Sequence, residues 1–293
     1  MDDTRGRRST PASERRRLRT GTRIAACIAV DWSGSLSSAR RCLWLAEARG
    51  SGLVRLACGF ERDELVAHLI ACARRDRHLV VGLDFAFSFP RWFVEQLGAG
   101  TAREVWERVA RDGERWLDAC PAPFWGRPFV PRPEILSRNS ALRVTEADHV
   151  PVGGIGPKSV FQVGGAGTVG TGSLRGMPFL RDLQDAGFSI WPFDPPRLPL
   201  VVEIYPRHLT GRVHKSSAIA RALYLQAHHA HESRELLDLA ASSEDAFDAA
   251  VSALAMWRFA SDFVALARTP RSPLDRLEGR IWKPRRDPVF ERM

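Results

Sequence analysis

With 293 residues and 44% hydrophobic content, the chain can bury one substantial core with room for a small appended unit. No apolar stretch approaches the roughly 20 residues of a membrane-spanning helix, and no apolar segment with a small-residue cleavage site follows the arginine-rich start. Five dispersed cysteines without a C-x-x-C pair exclude a disulfide framework and a zinc site, so we expect a cytoplasmic protein with no membrane contact. The formal charge is +9, and eight arginines against three acids fall within the first 23 residues. Residues 1–22 therefore read as a disordered basic tail suited to phosphate backbones, and residues 23–293 as a single domain.

The first strand is expected in "RIAACIAVDWSG", ending at Asp31, with Ser33-Gly34 as the turn. "RRCLWLAEAR" and "GLVRLACGF", separated by Gly50-Ser51-Gly52, read as a hairpin, so three strands can form an antiparallel meander. Cys27 and Cys58 lie in these apolar runs and are expected to act as small hydrophobes. "ELVAHLIACARRD" has helical spacing and is long enough to bring "HLVVGLDFAFSF" back parallel to the first strand. Helices follow at "RWFVEQL" and "AREVWERVARDGERWLDA". Residues 120–176 are dense in proline and glycine and read as an insertion or lid. Regularity returns with the helix "PFLRDLQDAG", the short strand "FSIWPF", the buried strand "LPLVVEIYP" and helices around 216–241 and 243–266. The order is that of an α/β fold with a mixed sheet.

Four acidic features resist a purely structural account. Asp31 ends an apolar strand, and Asp84 sits among apolar neighbours in "VVGLDFAFSF". Glu203 repeats that pattern in "LPLVVEIYP", and ligands bind beyond such strand ends in open α/β sheets. A buried carboxylate costs free energy unless it is paired, neutralised or bound to a cation. In "SSEDAFDAAVSALAMWRF", Asp245 can be explained as part of a cap begun by Ser242, but Asp248 lies inside an almost wholly apolar helix. Residues three apart share a helix face, so both can point one way. Converging carboxylates without thiols suit Mg²⁺ or Mn²⁺, and two such ions ~3.5–4 Å apart would support phosphodiester cleavage. Nucleic acid, DNA or RNA, is then the expected partner.

The motifs "VDWSG", "VGLDFAFSFP", "PKSVFQVGG", "VVEIYPR", "EDAFDAAVSALA" and "LEGRIW" together resemble the domain-of-unknown-function 429 family, which is described as predicted nucleases of ribonuclease-H-like fold. The likeness runs from about residue 24 to 282. It implies a five-stranded sheet with the first three strands antiparallel. It also implies acids on the first strand (Asp31), the fourth (Asp84), a later strand (Glu203) and the C-terminal helix (Asp245, Asp248).

Ser33 in the first turn, and Arg143, Glu146 and Lys158 flanking the insertion, are candidates for substrate contact, although surface placement is the ordinary fate of Arg143. Trp32, Phe85, Phe87 and Phe89 offer stacking surfaces or, by default, core packing. Two other functions fit the same pattern: a phosphotransferase or ATPase, since "DWSGS" is similar to a phosphate-binding turn, and a non-catalytic nucleic-acid-binding module. Gly165-Ala166-Gly167-Thr168-Val169-Gly170 matches G-x-G-x-x-G, the turn of dinucleotide sites. A helix opening there would carry Gly170, Gly172 and Gly176 within it and Pro178 in its interior, at ~1 kcal/mol per glycine and ~3 kcal/mol for proline. The helix is therefore expected to start at Pro178, with the glycine run as a flexible lid and no NAD.

Overall fold

The computed structural model describes residues 22–134, 136–165 and 167–285, so the expected basic tail lies, Thr22 apart, outside the described residues. Six runs form strands: β1 Ala26–Asp31, β2 Trp44–Arg49, β3 Gly52–Ala57, β4 Leu79–Leu83, β5 Ser189–Ile190 and β6 Leu200–Glu203. They build one mixed sheet in the order β3-β2-β1-β4-β6-β5. β1, β2 and β3 are antiparallel neighbours, as their short connections require. β4 returns parallel to β1 after the helix Arg62–Arg75, and β6 and β5 continue parallel. The sheet has six strands where the family likeness implied five. The additional one is the two-residue edge strand β5, tied down by Ser189 N donating to Pro199 O and Trp191 N to Val201 O, each at 2.9 Å.

Successive strand residues point to opposite faces, and each face buries its own helices. Ile28, Val30, Val81, Leu83 and Val201 pack with the helices Arg62–Arg75, Ala102–Ala119 and Gly170–Asp185. Cys27, Ala29, Val80, Leu200 and Val202 meet the helix Glu244–Arg258, backed by Ala218–His229 and Arg234–Ala241. Every residue from Ala246 to Met256 is buried, as a helix apolar on all sides demands. Cys27 is the small buried hydrophobe expected, whereas Cys58 falls just beyond β3 and is exposed. Trp32, Phe85, Phe87 and Phe89 are core residues.

Residues 120–176 add no strand to the sheet, yet Phe124, Val160, Phe161 and Val163 are buried in its core. The expectation for the glycine run fails. The helix starts at Gly170, not Pro178, and Pro178 lies inside it. Tertiary packing overrides the local penalty: a Cβ on Gly176 would come within 2.7 Å of the Phe85 ring. A Cβ on Gly34 would likewise lie 2.6 Å from Gly172 N, so the turn after β1 is seated directly on this helix. A helix opening at Gly170 removes one objection to a dinucleotide turn. Another stands, because the run follows the isolated Trp125–Gln162 bridge and not a strand of the sheet. Among the described residues no single helix is long and apolar enough to cross a membrane.

Candidate functional site

A cleft of about 620 Å³ opens beyond the C-terminal ends of β1, β4 and β6. Asp31, Ser33, Asp84, Arg143, Glu146, Lys158, Glu203, Asp245 and Asp248 all line it. Strand register explains how the acids divide. Val30 pairs with Leu83, and Asp84 N donates to Val30 O at 3.2 Å, so Asp31 and Asp84 are neighbours one step further along. They share the parity of Ala29 and Val80 and therefore the face of the Glu244–Arg258 helix. Asp248 meets them from that helix, only 8% exposed. The helix is capped by Ser243, whose Oγ accepts from Ala246 N at 3.0 Å, one residue later than expected. Asp245 is thus not the capping partner of Ser242; it lines the cleft one turn before Asp248.

This group is short of compensation. Lys215 Nζ bonds Asp248 Oδ2, while Asp248 Oδ1 is buried without a partner. Burial pushes the Asp31 carboxyl well above the usual range, and Asp248, Asp84 and Asp245 add to the rise against the pull of Lys215. Burial, then Asp248, raises Asp84 to about 8, again opposed by Lys215. Asp248 is raised by burial and drawn down by Lys215, and Asp245 is raised by burial and by Glu244. Tyr205, also in the cleft, is pushed up to about 12 by burial and the Asp84 charge, so it keeps its hydroxyl proton.

Glu203 pairs with Leu83 and so takes the other face. There it meets Arg143, which is fully buried and not at the surface. Arg143 Nη1 donates to Glu203 Oε2 at 2.8 Å, and its Nη2 bonds Glu203 Oε1. The same guanidinium reaches Glu146 Oε1 through Nε at 3.0 Å and Nη2 at 2.8 Å, and Glu278 O through Nη1 at 3.0 Å. Phe87 N also donates to Glu203 Oε2, at 3.1 Å. Burial pulls the Arg143 pKa down, but Glu146 and Glu203 outweigh it and hold the guanidinium firmly charged. The "LEGRIW" motif closes this cluster: Glu278 accepts from Arg91 N at 2.7 Å and from Val144 N at 2.8 Å.

Sequence reasoning missed Lys215, Arg207 and Tyr205. Lys215 is one of only three lysines, the same scarcity that marks Lys158, which is exposed at the rim. Arg207, in the short helix Pro206–Thr210 after β6, steadies the loop that carries Lys215 by donating to Val213 O at 2.7 Å. Ser33 Oγ accepts from Ser35 N at 3.2 Å and shapes the turn. Among the described residues no three His, Cys, Asp or Glu side chains are placed to hold a metal ion as they stand; what the four aspartates share is the charge of Lys215. Comparison with family models, curated proteins and solved structures found no match to this chain.

Proposed function

We propose that this cleft hydrolyses a nucleic-acid phosphodiester with a divalent cation, on a ribonuclease-H-like version of the mixed sheet. One observation carries the reading: Asp31, Asp84 and Asp248 face each other at the strand ends, and Asp248 Oδ1 is buried and unpartnered. The donors are all oxygen and suit a hard ion such as Mg²⁺ or Mn²⁺, held by Asp31, Asp84 and Asp248 with Asp245 at the mouth. Such an ion, when bound, supplies Lewis-acid polarisation of a phosphoryl oxygen and lowers the pKa of a water. Glu203 is committed to Arg143 and shapes the floor of the cleft. Lys158 and Arg207 bring positive charge to the walls, where a phosphate would lie. The likeness of the motifs to the domain-of-unknown-function 429 family points the same way, but the site carries the reading, because fold does not fix function.

The test is cleavage of single- and double-stranded DNA and RNA by the purified chain with Mg²⁺ or Mn²⁺. We expect cleavage that EDTA stops and that Asp31→Asn and Asp248→Asn each abolish. Cleavage that survives both substitutions would sink the reading. Deleting residues 1–22 should weaken salt-sensitive binding to nucleic acid and leave the cleavage step intact.

A further inference from the structure

We propose that Lys215 takes the place of one cation in the acidic cleft, so that the site binds a single divalent ion and not the pair its carboxylates alone suggest. The inference rests on reading the cleft as a divalent-cation site. Lys215 Nζ occupies Asp248 Oδ2, which leaves Oδ1 as the only oxygen of that carboxylate open to an ion. A second ion that reached Asp248 through Oδ2 would have to displace the lysine.

The lysine is built into position. Arg221 donates to its carbonyl through Nη1 and to Ala241 O through Nε at 3.0 Å, which fixes the Lys215 backbone to the residues leading into the Glu244–Arg258 helix. Arg207 holds the preceding turn at Val213 O. The side chain is only partly exposed, unlike Lys158 at the rim. An ammonium is a compact point charge; here it bonds Asp248, and its charge also acts on Asp31, Asp84 and Asp245.

Mn²⁺ titration of the full chain, followed by calorimetry and electron paramagnetic resonance, tests the proposal. The wild type should bind one ion per chain and show the hyperfine pattern of an isolated Mn²⁺. Lys215→Met should bind two, with the broadened spectrum of a coupled pair, and Lys215→Arg should stay at one. Two ions in the wild type, or one in both wild type and Lys215→Met, would overturn it. Should Lys215→Met fail to fold, Lys215→Gln replaces it, and the wild-type count alone still decides against the proposal if it is two. No bound ion in any variant overturns both this inference and the metal-dependent reading. One ion without any cleavage leaves the inference standing and overturns the nuclease reading alone.

Discussion

Around Arg143, three glutamates are brought into the interior and each finds its counterpart. Glu203 and Glu146 share the guanidinium, while Glu278 takes two backbone N–H groups. Across the sheet, Asp31, Asp84 and Asp248 are gathered with one lysine among them and one buried oxygen unpartnered. Both groups lie within reach of the same cleft, so proximity to a cavity does not separate structural acids from reactive ones. Compensation does. A carboxylate already held by a guanidinium or by backbone N–H groups is compensated within the fold, and its loss is felt in stability; an under-compensated one is a standing free-energy cost that a cation relieves.

The sharpest way to break this contrast is to neutralise one acid from each side. Asp84→Asn should lower phosphodiester cleavage by at least about a hundredfold, since metal-supplied stabilisation of the transition state amounts to several kcal/mol. It should weaken Mn²⁺ binding in parallel while costing no thermal stability. Glu203→Gln should do the reverse, with lost stability and Mn²⁺ affinity little changed in the fraction that folds. If Glu203→Gln instead removed Mn²⁺ binding from a stable protein, the division by sheet face would be wrong.

Next in size is Arg143→Met. It leaves Glu203 and Glu146 buried without a countercharge, and breaking such a pair costs about 3–5 kcal/mol, read as a lower denaturation midpoint in urea. Glu278→Gln should cost less, about 1–3 kcal/mol, because one of its two backbone donors loses a carboxylate oxygen. A neutral outcome for Arg143→Met would mean that this cluster is as dispensable as a surface ion pair.

Much of this was legible in the sequence. Apolar runs and turn residues gave the order of the strands, and Asp31, Asp84, Glu203 and Asp248 stood out because their neighbours are apolar. Strand parity was the hidden quantity. Asp84 and Glu203 look alike locally, and only the pairing of Leu83 with Glu203 places them on opposite faces. Lys215 lies in a loop, and Arg207 in a five-residue helix just before it, whose paths no periodicity reveals. Arg143 resembles any other arginine until Glu203, 60 residues away, reaches it. The glycine run misled because propensity prices each residue alone, whereas the Phe85 ring fills the space that Gly176 leaves open and Val160 O closes on Gly170.

The smallest effect is also the most diagnostic of under-compensation, because it concerns the protein without metal. Asp84 titrates near 8 in the fold and near about 4 in an unfolded chain. Between those values the folded state keeps a proton that the unfolded state has released, so stability is full below about pH 4 and declines as pH rises toward 8. Asp31 and Asp248 are raised as well and act in the same sense. Arg143 is held firmly charged by its partners and adds no slope in this range, while Glu146, raised by burial against the pull of Arg143, acts in the same sense as the aspartates. Melting temperatures taken from pH 5 to 8 in EDTA should therefore fall with pH, and Asp84→Asn should flatten the fall and be the more stable protein at pH 8. Adding Mg²⁺ to the wild type should flatten it too, because the ion replaces the proton as the charge that relieves Asp84. A wild-type profile already flat in EDTA would show that Lys215 by itself compensates the aspartates, and the distinction between the two acidic groups would lose its energetic basis.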